Sequence, residues 1–261
     1  MIPQTDIMQW GKYVPWKTNE QIEQDLIICR ALIEIFNDNF LANRLAFRGG
    51  TALHKLYIQP QPRYSEDIDL VQMKSEPIKE TIDVLRDRLA FLGIPVVKQK
   101  QSNNTLIFRF QSEFSDVRLK LKIETNCREH FTELGWQKKN FTVKSNWFKG
   151  SCDITTYKME ELLGTKLRAL YQRRKGRDLF DLYKALTHSP LHKKDIILCF
   201  KRYMKFSTGE VPSQKEFIKN MNLKLKHPEF LDDILTLLSP DEKYDQEAAY
   251  ELVKTELIER I

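Results

Sequence analysis

The sequence has no uncharged apolar run approaching the roughly 20 residues that a membrane-spanning helix needs. Its opening stretch, Met1 to Trp16, shows no basic segment leading into an apolar one. A soluble, cytoplasmic protein with no membrane partner is the expectation. Cysteine is scarce: Cys29, Cys127, Cys152 and Cys199 are scattered, with no CxxC pair. Neither a zinc knuckle nor a disulfide framework is suggested, and reduced, mostly buried thiols are expected. His188 and His192 stand four apart, but Ser189-Pro190 interrupts the helix that zinc-ligand spacing requires. No GxSxG, HExxH or Cys/His pairing occurs. Internal repeats, low-complexity tracts and Gly/Ser linkers are also missing, so a domain boundary has to be inferred from a change of periodicity.

What is present is an ordinary globular composition. Of the 261 residues, 41% are apolar, enough to bury a real core. The 42 basic residues exceed the 36 acidic ones, giving a net charge of +6, which favours polyanionic partners. A helical pattern spans Asn19 to Asn37. Short apolar runs then read as strands at Arg44–Arg48, Asp67–Val71, Thr105–Phe110 and Val117–Thr125, with a helix from Pro77 to Leu92 among them. The periodicity changes near Gly150, and beyond Tyr157 the pattern is almost wholly helical, with breaks at Gly176, Ser189-Pro190, Ser207 to Pro212 and Ser239-Pro240. The expected organisation is an α+β domain over residues 1–154 followed by a helical domain over 155–261.

Two stretches carry the first candidate site. In RLAFRGGTALHKLY a short strand runs through Arg48 into Gly49 and Gly50, and a helix opens at Thr51. Glycines there let the backbone approach a ligand closely, and the free N–H groups of a new helix suit phosphate oxygens. Alone, a Gly-Gly turn is equally a plain connection, and it matches neither GxGxxG nor the Walker pattern. In RYSEDIDLV, alternation puts Ile68 and Leu70 on one strand face and Asp67 and Asp69 on the other. Two neighbouring carboxylates repel each other, and a divalent cation such as magnesium relieves the repulsion. A solvated acidic strand face is the alternative.

Two-metal chemistry at phosphorus usually needs a further carboxylate from a neighbouring strand. In VRLKLKIET, Val117, Leu119, Leu121 and Ile123 are apolar, leaving Arg118, Lys120, Lys122 and Glu124 on the polar face. Glu124 is the only acid there and is the candidate third ligand. The alternative is a surface residue paired with Lys122.

In the helical half, Met159, Leu162, Leu163, Leu167, Ala169 and Leu170 form an apolar stripe with Lys166 at its centre. Lys166 either snorkels to water or lines a cleft where it holds triphosphate oxygens. After Gly176, Asp178 and Asp181 open another helix, where N-capping alone would account for Asp178. Arg168, Arg173, Arg174, Lys175 and Arg177 form a basic cluster suited to RNA phosphates or to a solvated face.

Phe47-Arg48-Gly49-Gly50-Thr51-Ala52-Leu53 followed by Arg63-Tyr64-Ser65-Glu66-Asp67-Ile68-Asp69-Leu70 resembles the GG(T)xL and RxSxDxD motifs of the AbiEii/AbiGii nucleotidyltransferase toxins. Lys122-Ile123-Glu124 resembles that family's third-acid strand, and Glu161 to Leu167 with Arg177 to Asp181 resembles its later motifs. The stretch between Gly50 and Asp67 is longer than in most polymerase-β-like enzymes. The resemblance implies a polymerase-β-like fold, magnesium, an NTP donor, and a type IV toxin role in phage defence beside a DNA-binding antitoxin encoded next to it. Some relatives extend the 3′ end of tRNA and so block aminoacylation.

The implied roles are metal binding by Asp67, Asp69 and Glu124, and triphosphate binding by Lys166. Asp178 would be a catalytic acid of the later motif. Nucleotide contacts would come from Arg48, Gly49, Gly50, Thr51 and Ser65, with two magnesium ions serving transfer of NMP to an acceptor. Rival expectations are transfer to a small molecule or a protein side chain, and a catalytically silent RNA- or protein-binding module.

Overall fold

The computed structural model describes residues 2–100 and 102–261. The chain divides into two compact units, Met1–Phe131 with Trp136–Tyr157, and Thr132–Gly135 with Lys158–Ile261. Among the described residues no helix is long and apolar enough to cross a membrane.

The first unit contains α1 (Gln4–Trp10), α2 (Asn19–Asn37), α3 (Asn39–Ala42), β1 (Leu45–Arg48), α4 (Gly49–Leu56), β2 (Asp67–Gln72) and α5 (Lys79–Arg88). These are followed by β3 (Val96–Gln99), β4 (Asn103–Gln111), β5 (Arg118–Asn126), β6 (Trp136–Lys144) and β7 (Lys149–Tyr157). The seven strands form one mixed sheet in the order β3-β4-β5-β2-β1-β7-β6. β1 runs antiparallel to β2 and parallel to β7, and β2 runs parallel to β5. With the helical C-terminal part, this is the expected α+β class.

Each element has a local cause. Thr18 caps α2 by accepting a hydrogen bond from the Gln21 backbone N–H, and Leu26, Ala31, Leu32 and Ile35 bury one face of the helix completely. On β5 the alternation seen in the sequence is realised: Leu119, Leu121 and Ile123 are buried, while Arg118, Lys120, Lys122 and Glu124 lie on the more open face. β3, β6 and β7 were not expected as strands. The expected helix from Pro77 to Leu92 is shorter, ending at Arg88 with a 3₁₀ turn over Ala90–Leu92.

A buried ion pair fixes α4 against α2. Lys55 Nζ lies 2.8 Å from Asp25 Oδ1, and Trp10 Nε1 donates to Asp25 Oδ2 at 3.0 Å. Burial pushes the Asp25 carboxyl up, but Lys55 outweighs it and the net shift is downward. The helix that follows the Gly-Gly turn is therefore anchored at its far end.

The second unit contains α6 (Met159–Gln172), α7 (Gly176–His188), α8 (Lys193–Thr208), α9 (Gln214–Lys224), α10 (Pro228–Asp232) and α11 (Gln246–Glu256). Gly164 lets α6 approach α8 closely, since a Cβ there would stand 2.5 Å from Cys199 Cβ. Glu161 draws the detached segment 132–135 into this unit. Its buried carboxylate accepts from Thr132 Oγ1, the backbone N–H groups of Glu133 and Leu134, and the Tyr203 hydroxyl, at 2.7–3.0 Å. All four cysteines are free thiols, and three of them are buried.

Candidate active site

The antiparallel pairing of β1 with β2 sets Arg48 opposite Asp69, so the Gly-Gly turn leaves the sheet beside the acidic strand. Gly49 has φ of 80°, a left-handed conformation that disfavours any side chain. A Cβ at Gly49 would lie 2.2 Å from Asp69 Oδ2. A Cβ on Gly50 would lie 2.4 Å from Nη2 of Arg63, whose side chain is almost fully buried beneath the turn. Thr51 Oγ1 donates to the Asp67 carbonyl at 2.5 Å, which makes Ser65 Oγ the donor in the 2.7 Å bond between the two hydroxyls. The two sequence stretches therefore interlock residue by residue: Gly49 with Asp69, Gly50 with Arg63, and Thr51 with Ser65 and Asp67.

Asp67 and Asp69 share the half-exposed face of β2, while Ile68 and Leu70 point into the core. Parallel pairing with β5 places Lys122 beside Asp67 and Glu124 beside Asp69. Lys122 Nζ lies 2.7 Å from Glu124 Oε2 and 3.8 Å from Asp67 Oδ2, and Asn103 donates to Glu124 Oε1 at 3.0 Å. The pairing with Lys122 that stood as the alternative for Glu124 is thus present, at a position next to Asp69. Burial lifts the Asp67 carboxyl to about 6, with the negative charges of Asp69 and Glu66 adding to it against the pull of Lys122. Lys122 is raised in turn, the carboxylates around it overcoming its burial.

Among the described residues no three His, Cys, Asp or Glu side chains are gathered as a ready metal cage. The donor chemistry nonetheless suits a hard divalent cation, which takes oxygen ligands and, when small, needs only one or two carboxylates plus substrate phosphates. Asp67 and Asp69 supply that number. Arg48, counted above among the nucleotide contacts, is held at 2.5 Å by Glu129, a nearly buried carboxylate. Sequence reasoning gave no role to Arg63, Asn103 or Glu129. Arg63 sits in the RxSxDxD motif, and its position there was the one available signal.

A family model for the nucleotidyl transferase AbiEii toxin of type IV toxin-antitoxin systems matches residues 30–252. The chain belongs to the AbiEii family. It is accordingly a nucleotidyltransferase, and a type IV toxin of this kind has an antitoxin as its counterpart. Solved structures agree on the fold. MenT4, a nucleotidyltransferase toxin from Mycobacterium tuberculosis H37Rv, superposes with a TM-score of 0.69 at 15% identity, covering 100% of this chain and 91% of that one. JHP933 from Helicobacter pylori gives 0.55 at 19% identity, covering 94% of each chain. A putative nucleotidyltransferase from H. pylori gives 0.55 at 20%, covering 94% of this chain and 96% of that one. Curated protein sequences give no match.

In the helical unit of this AbiEii chain the candidate residues are bound to one another. Lys166 is 7% exposed, and its Nζ lies 3.2 Å from Asp178 Oδ1 and 2.8 Å from Asp181 Oδ2, both carboxylates being fully buried. Arg173 grips Asp178 with two bonds, Nε to Oδ2 at 2.6 Å and Nη2 to Oδ1 at 2.8 Å. Asp178 makes no N-cap; burial pushes its carboxyl up, and Lys166 and Arg173 bring it down further than burial lifts it. Arg177 makes a two-pronged contact with Asp233, which Lys175 also approaches at 3.3 Å. Arg168 stacks over the Tyr203 ring at 5.3 Å, and Arg174 is exposed. Three of the five basic residues expected to meet RNA are therefore engaged by acids of their own unit.

Proposed function

We propose that this AbiEii protein transfers a nucleoside monophosphate from an NTP to the 3′ end of tRNA, with magnesium held by Asp67 and Asp69. Glu124 is the third carboxylate of a two-ion arrangement. The observation that carries the reading is the interlock of the Gly49-Gly50-Thr51 turn with Asp67 and Asp69, which brings helix N–H donors and paired carboxylates to one end of the sheet.

Free N–H groups at the start of α4 orient phosphate oxygens of the donor, since the first turn of any helix leaves its N–H groups without intrahelical partners. Thr51 and Ser65 fix the position of that turn through their shared hydrogen bond. The acceptor hydroxyl oxygen forms a bond to the α-phosphorus, the bond to the α–β bridging oxygen breaks, pyrophosphate departs, and the hydroxyl proton passes to solvent. Divalent metal supplies charge neutralisation on the phosphates and lowers the pKa of the attacking hydroxyl. Lys122 holds Glu124 and stands near Asp67, keeping the carboxylates balanced before substrate arrives. The counterpart is a DNA-binding antitoxin encoded beside the toxin, a reading that rests on the family.

Incubating the protein with magnesium, each α-labelled NTP in turn and total tRNA tests the reading, with Asp67→Asn in parallel. Label on RNA with the unaltered chain alone is the expected result. Label confined to protein or to a small molecule would move the acceptor elsewhere, and transfer at full rate by Asp67→Asn would remove the proposed site.

A further inference from the structure

β4 and β5 carry a row of cations on the same sheet face as the acidic pair. Arg109 of β4 lies directly opposite Lys120 of β5, and Gln111 lies opposite Arg118. Arg109, Arg118 and Lys120 are all exposed, and among the described residues none forms an ion pair. Together with Gln24, Leu119 and Glu66 they line one open hollow, in which Glu66 is the single acid. Like charges set directly opposite each other in a ladder destabilise the sheet, and against these three cations the hollow sets the single carboxylate of Glu66. Two residues further along β5 the row reaches Lys122, which faces Asp67, and then Glu124, which faces Asp69. The helical unit offers a contrast, because Arg173, Lys175 and Arg177 already hold Asp178 and Asp233.

We infer that Arg109, Arg118 and Lys120 form a phosphate track for the sugar–phosphate backbone of the nucleic-acid acceptor, leading its end to Asp67 and Asp69. The inference rests on nucleotidyl transfer to a polynucleotide at that site. Its occupant is a phosphodiester chain because the row is continuous with the carboxylates assigned to the transfer. An acidic protein segment would have no reason to end there. From Arg118 to Glu124 a strand covers about 20 Å at its usual rise, which corresponds to roughly six stacked nucleotides. The track binds through charge and backbone spacing, so it carries no base specificity.

The test is binding of fluorescent total tRNA to the full chain and to the triple variant Arg109→Gln, Arg118→Gln and Lys120→Gln across a salt series. Each lost phosphate contact lowers the salt slope by about 0.7–0.9, so the triple variant should lose about two units of slope and about tenfold or more in affinity at moderate salt. Asp67→Asn should keep full binding while losing transfer, which separates the track from the chemistry: transfer at full rate with binding intact would count against the catalytic assignment alone. Thermal melting guards against misfolding, and relief of the Arg109–Lys120 repulsion should leave the variant at least as stable as the parent. Unchanged tRNA affinity and slope in a folded triple variant would overturn the inference. So would a variant that lost binding to polyglutamate yet kept it to tRNA, since that result would assign the surface to an acidic protein.

Discussion

Gly49 and Asp69 occupy complementary space: a Cβ on the glycine would stand 2.2 Å from a carboxylate oxygen of the aspartate. The left-handed backbone at Gly49 adds a second requirement, because a side chain there costs about 1–2 kcal/mol even without a clash. Gly93 shares the positive φ, with ψ of −162°, and a Cβ there would meet nothing within 4 Å, so it reports the cost of a side chain at positive φ without any clash. Gly93→Ala is expected to destabilise by about 1–3 kcal/mol. Gly49→Ala should add about 1–3 kcal/mol of overpacking and displace the Asp69 carboxylate. Urea midpoints for the two variants, with transfer activity measured alongside, check this; equal losses in both would mean that Asp69 can move aside freely.

Asp67 is expected to trade stability for activity. Its carboxyl is raised to about 6 by burial and by the neighbouring negative charges. A carboxyl with a raised folded pKa binds more protons folded than unfolded, so its contribution weakens as pH climbs from about 4 through 6. At pH 7.5 the ionised group therefore strains the metal-free fold. The side chain is still 39% exposed, so solvent screening keeps the effect small. Asp67→Asn should melt slightly higher than the parent at pH 7.5 without metal, the difference shrinking towards pH 4, while transfer falls by several orders of magnitude. A lower melting point at pH 7.5 would show that the carboxylate is stabilised there.

The sequence made this site readable because its information is local. Period-2 alternation put Asp67 with Asp69 and Lys122 with Glu124, and parallel pairing of β2 with β5 then set the two pairs side by side. What the sequence concealed depends on partners far along the chain. β6 is an edge strand, most of whose residues keep some exposure on both faces, so no clean alternation marks it. β7 contains Gly150, where the change of periodicity suggested a boundary, yet the strand continues to Tyr157. Segment 132–135 leaves the first unit because Glu161, more than 25 residues later, binds its backbone. Lys166 at the centre of an apolar stripe was legible as unusual; that two buried aspartates from α7 meet it was not, since Asp178 was adequately explained as a helix cap.

Asp233 supplies a pH-dependent staple in the helical unit. Although burial opposes it, hydrogen bonds from the Arg177 side chain and backbone, with Lys175 nearby, hold the carboxyl down at about 2. A depressed carboxyl contributes stability that is complete above its unfolded pKa of about 4 and is lost as pH falls towards 2. Asp233→Asn should cost about 1–2 kcal/mol at pH 7 and flatten the acid limb of the stability profile between pH 4 and 2. Denaturation curves over that range check it; an unchanged acid limb would place the titrating group elsewhere.

Lys166 distinguishes a structural ammonium from a substrate-binding one. Its Nζ is within 3.2 Å of two carboxylates that are both fully buried, so Lys166→Met leaves charge in the core with only part of its compensation, Arg173 still serving Asp178. Breaking a buried pair in this way costs about 3–5 kcal/mol. The pH response should also reverse sign. In the parent the Asp178 carboxyl is lowered, so its contribution is lost on acidification below about 4. Without the ammonium, burial dominates and the folded carboxyls take up protons more readily than the unfolded ones, so the variant should regain stability as pH drops from 7.5 to 5.5. Urea midpoints of parent and variant at those two pH values are the measurement. A gap of several kcal/mol that narrows at pH 5.5 supports the buried cluster; equal midpoints at both, with a raised KM for NTP alone, would assign Lys166 to the donor triphosphate instead.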